Sequence, residues 1–115
     1  MTSPRHATFF AGVRAGAAPM LLWSAHFAFC YVAVAVGCSA LAHGGGASAS
    51  SLRLALVAGT AMALAAGAWL FVRACRADAR KPATLLAKVR LASAVLALVG
   101  IAWSALPLAF LPLCG

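Results

Sequence analysis

Three long apolar stretches constrain this chain more than anything else in it: Ala17 to Ala42, Leu52 to Val72, and about Leu91 to Leu113. A hydrocarbon core about 30 Å thick is crossed by roughly 20 helical residues, and each stretch is long enough. No charged residue interrupts the first or the third. The second carries only Arg53, at its very start, where a long side chain snorkels to the headgroups. Ahead of the third stretch, Leu85, Leu86 and Val89 are interleaved with Lys88 and Arg90, so that helix starts inside the interface. The expectation is an all-α bundle of three transmembrane helices, at about 17–42, 52–75 and 84–112, forming one membrane domain over residues 1–115. No segment alternates apolar and polar residues with the period of two that a barrel strand needs. Composition excludes an ordinary soluble domain, because only 9% of residues are charged where about a quarter is usual.

Lysine and arginine beside the spans set the orientation. The head, 1–16, carries Arg5 and Arg14, and the connection over 73–90 carries Arg73, Arg76, Arg80, Lys81, Lys88 and Arg90. The loop at 43–51 carries no basic residue other than His43, and Arg53 follows it. Head and second connection share a side in a three-span protein, so all nine basic residues except Arg53 sit in the cytoplasm together. The topology is N-in and C-out. Trp23 and Trp69 then both lie near the cytoplasmic interface, where amphipathic rings are favoured, whereas Trp103 falls deeper and faces either lipid or a neighbour. Ala40-Leu41-Ala42 and Ala35-Val36-Gly37-Cys38 look faintly like signal-cleavage and lipoprotein sites, but the apolar run is about twice the 7 to 15 residues of a signal core. It is read as a retained helix. The alanine content suggests a bacterial gene, so the expected location is a bacterial inner membrane, as a multi-pass protein.

Gly59, Ala63 and Gly67 recur every fourth residue and line small side chains along one face of span two. In lipid such a stripe permits close helix approach, either within the chain or between copies, though an alanine-rich chain also produces one by chance. Residues 43–51 form a Gly/Ser linker, with Ser51 the expected N-cap of span two. Lys81-Pro82 is expected to break the chain, with Pro82 opening the next helix. Pro107 and Pro112 are expected to kink and then end span three.

On a helical wheel Trp23, His26, Phe27, Cys30, Val34 and Cys38 share one arc of about 120°, with Tyr31 on its border. This polar and aromatic face, above all Trp23, His26, Phe27, Cys30 and Tyr31, is the candidate surface for a partner or cofactor. His26 is the only basic ring inside the membrane, a costly placement that marks functional candidates. It has three readings: a neutral imidazole bonded to a carbonyl, hydroxyl or partner; a quinone or substrate contact; and a haem or copper ligand acting with Cys30 or Met62. No second intramembrane histidine completes a ligand pair.

The topology puts Cys75 in the cytoplasm, Cys30 in mid-membrane, and Cys38 and Cys114 at the outer helix ends. In an oxidising compartment Cys38 and Cys114 form the one sensible disulfide, the alternative being two free apolar thiols. Arg73, Arg76 and Arg80, with Lys81 beside them, form a basic stripe that sets topology and attracts anionic phospholipids, worth about 1 kcal/mol per residue near the surface. A nucleic-acid partner is not expected, because no soluble module interleaves these charges with aromatic rings. No membrane-embedded Asp or Glu, phosphate loop or catalytic triad can be assembled, so the chain is not expected to be an enzyme.

The stretch Pro19-Met-Leu-Leu-Trp23-Ser-Ala-His26-Phe27-Ala-Phe-Cys-Tyr31, with Cys38 after it and the tail Leu-Pro-Leu-Cys-Gly, resembles small bacterial membrane proteins associated with haem-copper cytochrome c oxidase genes. The pattern is P-x3-W-x2-H-F-x3-Y, and it covers span one and the last residues. The resemblance implies a non-catalytic accessory subunit or assembly factor of a terminal oxidase. Such a chain needs no cofactor of its own, any haem, copper or quinone belonging to the neighbouring complex. The rival readings are a self-assembling pore or carrier built on the Gly59, Ala63, Gly67 stripe, and a haem or copper handler built on His26.

Overall fold

A run of apolar residues fixes where a helix must be, but not where it stops. In the computed structural model, which describes residues 4–46, 48–80 and 84–114, the chain forms α1 (Pro4–Ala42), α2 (Ala49–Arg80) and α3 (Leu85–Phe110). All three are long and apolar enough to cross a membrane. Each packs against both of the others.

Two of the three helices outrun their expected bounds. α1 begins at Pro4 rather than near residue 17, so the expected head is the first part of the same helix. At about 1.5 Å per residue its 39 residues account for the 58 Å long axis of the molecule. The extension packs beside α3: a Cβ at Gly12 would lie 2.5 Å from a methyl carbon of Leu86. Likewise α2 continues through Arg80, so much of the expected basic loop at 73–90 is helix. The physical reason is common to both ends. Hydropathy reports the apolar stretch alone, whereas flanks rich in helix-forming alanine and arginine continue the helix beyond it without interruption.

The connections follow local chemistry. α1 ends in a paired C-terminal turn in which Gly44 N–H donates to Leu41 O and Gly45 N–H to Ala40 O, with Gly44 at φ +71°. Ser51 does not cap α2, which starts earlier. Ser48 holds that position: Ser51 N–H donates to Ser48 Oγ and Ser48 N–H donates to Ser51 Oγ, both at 3.1 Å, a reciprocal box. Lys81 and Pro82 lie outside the described residues. At the far end Pro107 is accommodated within α3, and the helix stops at Phe110. Leu111 is extended, φ −109° and ψ 146°, as the residue before Pro112 must be.

Small residues make the core. The buried face of α2 is Leu52, Leu56, Thr60, Ala63, Gly67 and Ala74, and that of α3 is Ala87, Ser93, Ala94, Ala97 and Ile101. A Cβ at Gly67 would meet Leu98 of α3 at 2.8 Å and Leu22 of α1 at 3.8 Å, so side chains from both neighbours converge on that glycine. One polar bond crosses the seam. Ser93 Oγ of α3 donates to Gly16 O of α1 over 2.9 Å, three residues before the buried Pro19. Ser93→Ala is expected to lower bundle stability by about 1 kcal/mol. Gly67→Val, which must push Leu98 aside, is expected to cost more; reversible unfolding in mixed micelles measures both, and equal stability of all three proteins would refute the seam.

Candidate functional site

α1 meets α3 along a groove on the outside of the bundle. Two adjoining hollows, of about 520 and 760 Å³, share Phe27, Ser104, Pro107 and Leu111 and so form one continuous trough. α1 contributes Trp23, Phe27, Cys30 and Tyr31, and α3 contributes Trp103, Ser104, Pro107 and Phe110. Trp23 floors part of it. Its indole lies so close over Gly100 that a Cβ there would sit 2.5 Å from Nε1. Trp23 stacks on Phe27, with centroids 6.1 Å apart and planes at 28°. The rims are open: Tyr31 is 71% exposed, Trp103 72% and Phe110 80%. Ser104 Oγ is turned back onto its own helix, donating to Gly100 O or Ile101 O, so the groove is almost wholly apolar.

His26 does not belong to that groove. It is buried, 5% exposed, and lines a separate hollow of about 490 Å³ between α1 and α2 with Phe29, Gly59, Met62 and Ala63. The wheel arc explains the split. His26 lies at its edge, next to Leu22 and Phe29, and when α1 is set against two helices that edge turns to α2 while Trp23, Phe27 and Tyr31 turn to α3. As a surface for docking, the expected face therefore loses His26. Its ring nitrogens lie 3.6 and 3.9 Å from Cys30 Sγ one turn away. Met62 shares its hollow, but among the described residues no group of three or more His, Cys, Asp or Glu gathers as a metal site.

The small-residue stripe faces inward. The Phe29 ring occupies the space a Cβ would need at Gly59, Ala63 is buried, and Gly67 receives Leu98 and Leu22. Neighbouring helices of the same chain thus take up the surface on which a pore of several copies was to be built.

Cys38, near the C-terminal end of α1, is joined to Cys114 by a disulfide, with Cα atoms 5.5 Å apart. It ties the chain after Pro112 back over one end of the groove, where Leu111, Pro112 and Leu113 complete the wall. Cys30 and Cys75 are free thiols. At the opposite end Arg73 lies over the Trp69 ring, 4.7 Å from its centroid. Arg73, Arg76 and Arg80 line a small cleft, and Lys81 lies outside the described residues.

Reading α1 alone missed the α3 half of the groove. Its signal was available: Trp103, Pro107, Phe110 and Leu111 fall at i, i+4, i+7 and i+8, one face of a helix. Arg90 also joins the basic cleft from α3, a partner no spacing within α2 could reveal.

Alkylation of the denatured, unreduced protein is expected to label two thiols, Cys30 and Cys75, and all four cysteines after reduction. Labelling of four without reductant would break the tie across the groove. Comparison of the chain with protein-family models, curated proteins and solved structures gave no match.

Proposed function

We propose that this chain is a non-catalytic, multi-pass membrane subunit that docks onto a larger membrane complex through the groove between α1 and α3. The observation that carries the reading is the groove itself: a continuous apolar trough edged by exposed Tyr31, Trp103 and Phe110, with stacked Trp23 and Phe27 beneath. Aromatic side chains give large contact area with few rotatable bonds, which is why they dominate the energetic centres of interfaces. The Gly100 seat and the Trp23–Phe27 stack hold part of this surface in place before any partner arrives, and preorganisation reduces the entropy lost on docking.

The partner is a haem-copper terminal oxidase of a bacterial inner membrane. That choice rests on the resemblance of the Pro19-to-Tyr31 pattern and the Leu-Pro-Leu-Cys-Gly tail to oxidase-associated proteins. Haem, copper and quinone are then the partner's. In the membrane the chain is N-in and C-out, which two features support independently. Arg5, Arg14, Arg73, Arg76, Arg80, Lys88 and Arg90 cluster at one end, as the bias of cytoplasmic loops requires. The Cys38–Cys114 disulfide is at the other end, where an oxidising periplasm keeps it.

A tagged chain solubilised in mild detergent is expected to recover oxidase subunits, with a haem spectrum in the same sample. The double substitution Phe27→Ala, Tyr31→Ala is expected to lower that recovery tenfold or more, roughly the loss of one interface hot spot. A colourless homo-oligomer with no companion subunit would overturn the reading. Alkaline phosphatase fused after Gly115 is expected to be active and after Arg80 inactive; the reverse pattern would contradict the orientation.

A further inference from the structure

Beyond Val72, α2 continues as helix and carries Arg73, Arg76 and Arg80 at spacings of three and four, which puts them on one face. α3 brings Arg90 to the same place. The four side chains, with Ala77, line a cleft of about 250 Å³ between the two helices. Like charges drawn around one small space repel, and among the described residues no ion pair offsets them. The single acid, Asp78, pairs with none of them among the described residues, and its Oδ1 is buried without a hydrogen-bond partner. Arg73 is additionally held by its position over Trp69, its guanidinium carbon 4.7 Å from the ring centroid.

We propose that this cleft binds a phosphate group, with Arg90 of α3 closing against Arg73, Arg76 and Arg80 of α2. Guanidinium forks match phosphate oxygens in pairs, and charge-assisted bonds of this kind are the strongest a side chain makes. Basic pockets between helices at the membrane surface hold acidic lipid headgroups by this chemistry. Trp69, an interfacial ring with its face under Arg73, places the cleft at headgroup depth, so a phosphodiester from the adjoining leaflet reaches it directly. Free phosphate in the aqueous phase offers the same oxygens. Either occupant joins α2 to α3 through its charge. The site is independent of the α1–α3 groove and of any docking partner.

The test uses the full chain purified in mild detergent, with dioleoyl phosphatidylglycerol, dioleoyl phosphatidylcholine and inorganic phosphate as probes and native mass spectrometry as the readout. One phosphatidylglycerol is expected to be retained where phosphatidylcholine is not. R76Q/R90Q is expected to weaken retention roughly 30-fold, from the loss of two cationic contacts. R53Q, at the other end of the bundle, is expected to leave it unchanged. R76K/R90K keeps the charge without the forks and is expected to fall between, which separates loss of the site from loss of the fold. Retention that survives millimolar phosphate identifies the headgroup as occupant; phosphate binding that displaces the lipid, with the same arginine dependence, identifies the free ion. Equal binding of lipid and phosphate to the wild type and R76Q/R90Q, or no binding of either, would overturn the proposal.

Discussion

In lipid the burial that drives folding in water is missing, so helices are held together by how closely they can approach. The three helices of this bundle are long and apolar enough to cross a membrane, and they are joined by approaches of that kind. At Gly67 two leucines from two helices meet the same backbone, at Gly59 a phenylalanine ring fills the missing side chain's place, and at Gly100 an indole does. Each seat does more than join helices. Leu22 and Phe29 bring α1 onto α2 and so carry His26 inward, while Trp23 on Gly100 sets the floor of the α1–α3 groove. The seats that assemble the fold also sort the polar and aromatic face of α1 into a buried histidine side and an exposed aromatic side.

Polar and covalent ties fix the two ends of the groove's helices. The Ser93 hydroxyl of α3 donates to Gly16 O of α1, one turn before the buried Pro19. Pro112 forces Leu111 out of helical geometry and sends the tail across toward Cys38, where the disulfide closes it. The groove is bounded by helix on both sides and by a covalent tie at one end. On its rim Tyr31, Trp103 and Phe110 are largely exposed. The opposite end of the bundle differs in kind, with four arginines around one cleft and polar chemistry in place of apolar contact.

Much of the architecture was legible in the residues, because apolar length is a property of the chain read along one dimension. Helix number and the four-residue spacing that puts Gly59, Ala63 and Gly67 on one face belong to that class. Helix ends were less so. Ser48 and Ser51 are both good caps, and only the hydrogen bonds decide between them. The site was harder for a geometric reason. A wheel places Trp23, His26 and Phe27 on one arc, but an arc of that width spans two neighbours, and the angle at which α1 meets each divides it. Arg90 and the α3 half of the groove come from another helix, so no pattern within α1 or α2 encodes them.

The central claim is that the α1–α3 groove, and not another face of the bundle, receives the partner. Site-specific photocross-linking in native membranes tests it most directly, with benzoylphenylalanine placed at Tyr31 or Phe110 on the groove rim and at Leu54 or Val57 on the outer face of α2, all exposed in the isolated chain. The account predicts one defined protein adduct, the same from positions 31 and 110, and none from 54 or 57. Adducts of equal yield from both faces, or a protein adduct from α2 alone, would contradict it.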